Sequence, residues 1–241
     1  MAMTQVDYPV TDGVPGIVGS FGSSDDLRQA EAAAVRDSCD MAEIRLDLLM
    51  MDGTAGVEPA LWRHLQGLPL LFTARRHDEG GARMLSAAVR MELLESVLDQ
   101  AAWIDLEVAS IDEMGGLLQT LKTRSIPWIA SLHDFEKLPD TAVLETAVRR
   151  ALDAGAGVFK TAAHLRQPAD LARLAEFQLA DHGLSVATMG MGPLAAVSRL
   201  LCAQCGSVLN YGYLGKTATA PGQWDAALLK KTIARLAPLR P

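Results

Sequence analysis

The run GVFKTA, residues 157–162, is a short apolar segment with a lysine, Lys160, inside it. Two longer segments flank it, PDTAVLETAVRRALDAGA at 139–156 and QPADLARLAEFQLADHG at 167–183, and both carry apolar residues at helical spacing. The first of them begins with proline and aspartate and ends at Gly155, as helices commonly do. A short apolar run between two helices indicates a buried β-strand, so this part of the chain predicts a helix–strand–helix arrangement.

Further apolar runs of similar length repeat this arrangement along the chain. They recur at intervals of about 23 to 35 residues, roughly the length of one βα unit. The eight runs are GIVGSF (16–21), AEIRLDL (42–48), LPLLFTAR (68–75), WIDLEV (103–108), IPWIASLHD (126–134), GVFKTA (157–162), LSVATM (184–189) and SVLNYG (207–212). This alternation predicts an α/β protein with a (β/α)8 TIM barrel. A doubly wound open sheet is the alternative, although no GxGxxG fingerprint of a dinucleotide fold follows the first run.

The composition predicts a single globular domain. The 241 residues are 49% hydrophobic and 21% charged, and neither a linker nor a low-complexity tract divides them. We therefore expect one barrel domain over residues 1–241. The formal net charge of −7 argues against a nucleic-acid partner, because domains that bind nucleic acids carry basic surfaces.

Three features predict a cytoplasmic protein without a membrane partner. The opening MAMTQVDYPVTDG lacks the basic and then apolar layout of a signal peptide. No apolar run reaches the length that spans a bilayer. The three cysteines, Cys39, Cys202 and Cys205, do not form a disulfide framework, which suits a reducing compartment.

Unusual polar residues fall near the carboxyl ends of the predicted strands, where a barrel places its active site. Glu43, Arg45 and Asp47 alternate along the second run, so we expect them to share one face. The others are Arg75 at the end of the third run and Glu79 after it, Asp105 and Glu107 on the fourth, His133 and Asp134 on the fifth, and Met189 and Met191 after the seventh. Buried ion pairs without a catalytic role are the alternative explanation for such charges.

Lys160 is the most informative of these residues. Burial and nearby arginine charges disfavour the ammonium form of a lysine, and a neutral amine can attack a ketone to form an imine. His133 is placed to take the proton from the carbon next to that imine and to return it to a leaving hydroxyl. The alternative is a lysine whose amine reaches solvent from the strand end.

The histidine and cysteine pattern predicts no metal and no cofactor. A metal site needs clustered ligands, and only His133 falls at a predicted strand end. The other histidines lie in predicted helices or loops, where we expect them to be solvated: His64, His77, His164 and His182.

Seven motifs in a fixed order resemble the type I 3-dehydroquinate dehydratases over nearly the full chain. They are EIRLDLL (43–49), LFTARRHDEGG (71–81), IDLEV (104–108), SLHDFE (131–136), FKTA (159–162), MGMGPLAAVSR (189–199) and TAPGQ (219–223). The resemblance implies a (β/α)8 barrel, commonly dimeric, without metal or organic cofactor. It also implies removal of water from 3-dehydroquinate to give 3-dehydroshikimate through a lysine imine.

The resemblance also implies roles for individual residues. Lys160 matches the lysine that forms the imine, His133 the general acid and base, and Glu79 the glutamate that orients this histidine. The substrate-binding positions are Glu43, Arg45 and Arg75 for ring hydroxyls, Arg199 for the carboxylate, Thr219 and Gln223 on a closing loop, and Met189, Met191 and Tyr211 around the substrate.

Three positions depart from the family pattern. Thr219 stands where many members have serine, and Ala195 stands where many have glycine. A serine that often ends the first strand aligns with Gly19, with Ser20 one position away. These departures affect expected substrate contacts and local packing, but neither Lys160 nor His133.

Two other functions fit the residues. An imine-forming lyase of the class I aldolase type is one, although such enzymes usually need a phosphate site near the last strands. A barrel that binds a carboxylic acid without catalysis is the other, although binding alone requires neither Lys160 nor His133. The sequence does not distinguish aromatic biosynthesis from quinate breakdown, because the reaction is the same in both.

Overall fold

The computed structural model describes residues 14–50, 58–216 and 218–239 of the chain. The opening MAMTQVDYPVTDG, on which part of the cytoplasmic prediction depends, lies outside these ranges. The strands within them are β1 (Gly16–Phe21), β2 (Met41–Arg45), β3 (Leu70–Thr73), β4 (Trp103–Glu107), β5 (Trp128–Asp134), β6 (Val158–His164), β7 (Ser185–Met191), β8 (Leu209–Tyr213) and β9 (Trp224–Asp225).

Helices connect the strands in the described ranges. They are α1 (Ser24–Gln29), α2 (Ala32–Ser38), α3 (Leu46–Leu49), α4 (Ala87–Glu95), α5 (Gly115–Arg124), α6 (Thr141–Asp153), α7 (Pro168–Leu179), α8 (Ala195–Gln204) and α9 (Ala226–Leu236). Single turns of 3-10 helix lie at Pro59–Leu61, Arg63–Leu65, His77–Glu79, Val108–Ser110, Gly192–Leu194 and Ala237–Leu239.

The strands form one parallel sheet in the order β7-β6-β5-β4-β3-β2-β1-β8-β9. Neighbours in the series β1 to β7 are also neighbours in sequence, and helices or single helical turns lie between them. Val208, just before β8, donates its backbone N–H to the carbonyl of Val186 in β7 at 3.1 Å. The α/β class predicted from the sequence is therefore confirmed, with the two ends of the series close to each other.

One face of the sheet changes from apolar to mainly polar side chains along most of the strands. Near the amino-terminal ends, side chains from eight strands pack in one cluster: Val18, Met41, Leu71, Trp103, Ile129, Val158, Ala187 and Leu209. Two residues further on, the same face carries Ser20, Glu43, Thr73, Asp105, Ser131, Lys160, Met189 and Tyr211, all buried. Since strand side chains alternate with a period of two, the sequence itself places these polar groups above an apolar floor.

The other face of the sheet packs against the helices in a larger apolar cluster. Helix α6, for example, buries Leu144, Ala147, Val148 and Ala151, which share one face at helical spacing. Side-chain caps fix where several helices begin. Ser23 accepts from the backbone N–H of Asp26 at the start of α1, and Asp225 accepts from that of Leu228 at the start of α9.

The predicted positions of four residues near strand ends, Asp47, Met189, Met191 and Arg75, are wrong. Strand β2 ends at Arg45, and Asp47 lies in the short helix α3 instead of alternating along the strand. Its carboxylate nevertheless returns to Arg45 through two hydrogen bonds. Met189 and Met191 belong to β7 and do not follow it. Strand β3 ends at Thr73, so Arg75 lies two residues beyond it.

Other differences concern helices and histidines. The segment SDDLRQAEAAAVRD (24–37) has the N-terminal serine and aspartates and the apolar spacing of one helix, but it is interrupted at Ala30, which has an extended ψ of 123°, and forms α1 and α2. Of the four histidines expected to be solvated, His64 and His77 are exposed, whereas His182 is half-buried, as is His164 at the end of β6.

Candidate active site

All of the residues to which the family resemblance assigned a role line one cavity of about 50 Å³ near the carboxyl ends of the strands. They are Glu43, Arg45, Arg75, Glu79, His133, Lys160, Met189, Met191, Arg199, Tyr211, Thr219 and Gln223. By contrast, Asp47, Asp105, Glu107 and Asp134 are not among its lining residues. The prediction missed four lining residues, Gly80, Phe135, Ala162 and Ala220. Each lies one or two positions from a predicted residue, so proximity along the chain was the available signal.

Lys160 stands on β6 with 3% of its surface exposed. Its Nζ lies 2.7 Å from Oδ2 of Asp105 and 4.4 Å from the centre of the Tyr211 ring. Burial, the largest influence, lowers the pKa of Lys160, and Arg75 lowers it further, whereas Asp105 acts in the opposite direction. The lysine is therefore buried as expected, but it has an anionic partner that the sequence did not reveal.

A chain of alternating charges extends from Lys160 to the surface of α4 and the loop after β4. Arg75 Nη1 lies 2.9 Å from Asp105 Oδ1 and 2.9 Å from Glu107 Oε1. Arg90 of α4 continues the chain, with Nη1 at 2.8 Å from Glu107 Oε2 and Nη2 at 2.6 Å from Glu113. Each buried charge in this line of ion pairs thus has a partner of opposite sign, which stabilises buried ions.

Glu79 and His133 form the second polar group of the cavity. Glu79 Oε2 accepts the backbone N–H of His133 at 2.8 Å and lies 3.0 Å from its Nδ1. The turn that carries Glu79 ends at Gly80, whose φ of +87° suits glycine. With Nδ1 donating to the carboxylate, the neutral imidazole has Nε2 free to accept a proton.

Burial and neighbouring charges hold this pair close to neutrality. Burial raises the pKa of Glu79 to about 7, against the influence of Arg75. Burial, Arg75 and Lys160 lower the pKa of His133 well below its ordinary value. At neutral pH His133 is thus an uncharged base, as proton abstraction requires.

Glu43 is held at the floor of the cavity by hydroxyl groups of the two adjacent strands. Its Oε2 accepts from Ser20 of β1, and its Oε1 accepts from Thr73 at 2.7 Å. Ser20 therefore occupies the inward position at the end of β1, while a side chain on Gly19 would point toward Leu214 and Cys39 on the other face. At the end of β1 it is thus Ser20, and not Gly19, that places a hydroxyl next to Glu43.

Arg45 is fixed by Asp47 and by the turn after β3. Its Nε and Nη2 bond the two carboxylate oxygens at 2.9 and 2.8 Å, and Nη2 also reaches the carbonyl of Gly80 at 3.2 Å. Asp47 accepts a further bond from the backbone N–H of Arg75. Helix α3 thereby ties the guanidinium of Arg45 to the turn that carries Glu79.

Arg199 of α8 is buried without an acidic partner among the residues that the structure describes. Its Nη1 donates to the carbonyls of Gly190 and Ala195 at 2.8 and 3.1 Å, and its Nε donates to that of Tyr211 at 3.2 Å. Burial lowers its pKa to about 10, which leaves it a cation at neutral pH. A buried guanidinium held only by carbonyls suits an anionic ligand.

The segment after β8 covers the cavity through Thr219 and Gln223. Oε1 of Gln223 accepts from the backbone N–H of Thr219 at 2.9 Å and from its hydroxyl at 2.8 Å. The extra methyl of Thr219 lies against Gly22 at the end of β1, and the methyl of Ala195 lies against Gly222. At both departures from the family pattern, the additional methyl group therefore packs against a glycine of a facing segment.

Met189, Met191 and Tyr211 are buried in the wall of the cavity. The Tyr211 hydroxyl has no hydrogen-bond partner in the described part of the chain, and burial raises its pKa well above the ordinary value. An uncharged aromatic face next to Lys160 stabilises positive charge on Nζ.

A much larger open cleft of about 1950 Å³ lies at the opposite, amino-terminal ends of β4 to β7. Its lining includes Trp103, Trp128, Leu118, Lys122 and Ser185. None of the predicted site residues is among its lining residues. Its greater size therefore does not make it the better candidate for catalysis.

The described ranges contain neither a metal-binding cluster nor a membrane-spanning helix. No group of three His, Cys, Asp or Glu side chains there is arranged to hold a metal ion. None of the helices there combines the length and the apolar character needed to cross a bilayer.

Comparison with known proteins relates this chain to one protein family. The family model described as type I 3-dehydroquinase matches residues 21–237. A 3-dehydroquinate dehydratase of Methanocella arvoryzae is 33% identical over 221 residues, covering 90% of this chain and 93% of that protein. Another, from Methanococcoides burtonii, is 33% identical over 224 residues, covering 91% of this chain and 93% of that protein.

A solved structure agrees with the sequence comparisons. The crystal structure of 3-dehydroquinate dehydratase from Geobacillus kaustophilus superposes with a TM-score of 0.80 at 26% identity, covering 93% of this chain and 91% of that one. These similarities extend over almost the whole chain and include every strand that lines the cavity.

Proposed function

Because this chain belongs to the type I 3-dehydroquinase family and is a hydro-lyase that removes water from 3-dehydroquinate, we propose that it does so through an imine on Lys160. The observation that carries this proposal is the buried Lys160 amine, which lines the same cavity as the uncharged base His133. An amine in such a place adds to a ketone, and loss of water from the adduct gives the imine.

The imine makes the proton on the neighbouring carbon acidic, and His133 Nε2 accepts that proton. The hydroxyl group two carbons from the imine carbon then leaves with a proton from the same histidine. Water hydrolyses the imine of the product, releases 3-dehydroshikimate and restores the amine. Glu79 keeps the ring of His133 in the orientation that this exchange requires, through Nδ1.

The remaining residues hold the substrate in this proposal. Arg199 binds the carboxylate, because it is the buried cation without an acidic partner in the described ranges. Glu43, Arg45 and Arg75 bind ring hydroxyls from the floor of the cavity, and Thr219 and Gln223 close over them. Met189, Met191 and Tyr211 form the wall around the ring.

We also infer a closed (β/α)8 barrel as the single domain of residues 1–241. The hydrogen bond between Val208 and Val186 supports closure between β7 and β8, as does the cluster built from eight strands. The family resemblance supports a cytoplasmic homodimer, and light scattering on the purified chain tests the mass of the particle. Cofactor independence stays a prediction, tested by turnover after dialysis against a chelator.

Borohydride reduction in the presence of 3-dehydroquinate tests the imine. Reduction converts an imine into a stable secondary amine, so peptide mass spectrometry should find the adduct on Lys160. Lys160→Met, which fills a similar volume, should remain folded and give no adduct. An adduct on another residue, or turnover by Lys160→Met, would contradict the mechanism.

A further inference from the structure

The two groups in contact with Lys160 Nζ both bind positive charge. Asp105 Oδ2 at 2.7 Å accepts hydrogen bonds when ionised, and the Tyr211 ring at 4.4 Å presents its electron-rich face. Neither group has a favourable interaction with the lone pair of a neutral nitrogen. In the resting enzyme these contacts favour the ammonium form, and after imine formation they favour the protonated imine.

Asp105 is held in place for this contact by two other residues. Its Oδ1 accepts from the Ser131 hydroxyl at 2.6 Å and lies 2.9 Å from Arg75 Nη1, so Oδ2 is left for Lys160. The residue is 1% exposed. Burial opposes ionisation, but Arg75 and Lys160 outweigh it and hold the pKa of the carboxyl well below its usual range.

We propose that Asp105 is a further catalytic residue, whose Oδ2 pairs with Lys160 Nζ in the resting enzyme and stays paired with it when Nζ becomes the iminium nitrogen. The proposal rests on the imine function proposed above. In this proposal Asp105 is the counter-ion of the protonated imine during the step in which the imine accepts an electron pair. Its chemical role is to keep the imine protonated, since the iminium accepts electrons better than the neutral imine.

The proton balance of the reaction agrees with this role. In the iminium, Nζ carries one hydrogen, which bonds to Asp105 Oδ2. When His133 takes the proton from the adjacent carbon, the C–H electron pair forms a C=C bond and the C=N pair moves onto Nζ. The pair returns as the hydroxyl leaves with a proton from His133. The hydrogen on Nζ stays there throughout, so Asp105 neither gives nor takes a proton.

Among the charged groups around Lys160, Asp105 is the anion whose removal tests the proposal. The titratable groups that face it come from five strands or strand ends: Glu43, Arg75, Asp105, His133 and Tyr211. The oxygens of Glu43 are occupied by Ser20 and Thr73, so Asp105 is the carboxylate in contact with Nζ. Without its charge, burial and Arg75 act on Lys160 with only the more distant Glu43 opposing them.

Asp105→Asn tests the proposal, because asparagine keeps the shape and removes the charge. Arg75 would keep its bonds to Glu107 and Ser131, which supports folding of the variant. Asp47→Asn is the matched control, since Asp47 is also a buried carboxylate but bonds Arg45 and not Lys160. The substrate-free proteins are methylated with formaldehyde and a borane at a series of pH values. Mass spectrometry then gives the modified fraction of Lys160.

In Asp105→Asn we expect the pH midpoint of Lys160 methylation to fall by about 1 to 3 units, the usual effect of removing an opposite charge at this range. We expect kcat to fall by about 10- to 1000-fold over the same range, because the iminium is destabilised by the same interaction. Asp47→Asn should leave the midpoint unmoved. A counter-ion role predicts both a lower methylation midpoint for Lys160 and slower turnover. A site that is merely loosened by the substitution would also turn over slowly, but its amine would not become more reactive.

An unchanged midpoint or an unchanged kcat in folded Asp105→Asn overturns the proposal. If that variant does not fold, Asp105→Glu decides: it keeps the charge but moves the carboxylate by one methylene, so kcat should fall, and wild-type kcat would overturn the proposal. Absence of a borohydride adduct in the wild type would instead refute the imine function. The methylation midpoints are measured without substrate and report the Asp105–Lys160 pairing in either case.

Discussion

His133 is uncharged at neutral pH because burial and the positive charges of Arg75, Lys160 and Arg45 together lower its pKa more strongly than Asp105 raises it. Burial is the largest of these influences. Glu79, at 3.0 Å from Nδ1, orients the ring. Because the pKa of Glu79 is about 7, its carboxyl group is only partly ionised at neutral pH and does little to favour a protonated His133. One imidazole can then take a proton from carbon and give it to oxygen without leaving its position.

His133→Ala should therefore separate capture from elimination. The variant should still form an adduct on Lys160 that borohydride fixes, since Lys160 supplies the nucleophile. Turnover should fall by about 10²- to 10⁴-fold, the usual contribution of a general acid–base group. The adduct should have the mass of substrate that still contains its leaving water. Near-normal turnover would assign the proton transfers to another group, and Glu43 and Glu107 would be the next candidates.

The segment after β8 is tied together by one amide oxygen. Oε1 of Gln223 accepts both the backbone N–H and the hydroxyl of Thr219. Thr219→Val removes only the hydroxyl bond, because the two side chains have nearly the same shape. A neutral hydrogen bond contributes about 0.5 to 1.5 kcal/mol, so kcat/KM should fall by about 2- to 12-fold.

Thr219→Ser is the control for this segment. It keeps the hydroxyl and removes the methyl that lies against Gly22, so it should retain most of the activity lost in Thr219→Val. If the valine variant has wild-type kcat/KM, the hydroxyl does not contribute. If the serine variant is as slow as the valine variant, the methyl contact with Gly22 contributes as much as the hydrogen bond does.

Apolar runs predicted where each long strand lies, but not where it ends. Strand β2 stops at Arg45 because the chain turns into α3, where Asp47 returns to bond Arg45. That turn depends on a long-range partner and has no local signal. The break at Ala30 between α1 and α2 falls on a residue that favours helices, so packing outweighs its propensity there. Strand β9, two residues long, is too short to produce a pattern.

The candidate site was predictable where a motif could be matched and not where partners come from neighbouring strands. The match located Lys160, His133 and Glu79, which line the same cavity. The Asp105–Lys160 pair joins β4 to β6 across β5, and only the register of three strands brings these residues together. An expectation based on burial and nearby arginine charges therefore underestimated how strongly the lysine is paired.

The buried carboxyl of Glu79 links the stability of the whole protein to pH. Its pKa is raised from an ordinary value of 4.5 to about 7 in the folded state. A raised pKa contributes stability that is fully present below the unfolded value and is lost as pH rises through the folded value. Ionisation of Glu79 thus destabilises the fold progressively between about pH 4.5 and 7, by up to about 3 kcal/mol.

Glu79→Gln should remove this dependence, because glutamine stays neutral. Its free energy of unfolding relative to wild type should rise with pH between 5 and 8 and then level off, as measured by urea denaturation at each pH. Glu113→Gln, at a half-exposed end of the ion chain, provides a comparison that should lack such a rise. A constant difference between Glu79→Gln and wild type would show that Glu79 ionises at its ordinary pKa.

The line of charges Lys160–Asp105–Arg75–Glu107–Arg90–Glu113 restricts the order in which mutations can accumulate in this protein. Loss of an interior member removes one counter-charge from each of its two neighbours, whereas loss of an adjacent acid–base pair leaves the sum of charges unchanged. Single substitutions along the line should therefore be strongly deleterious, and pairs should be tolerated better than their separate effects suggest. Such epistasis makes Glu113, the only member that reaches solvent substantially, the natural starting point for divergence, with Arg90 changing next.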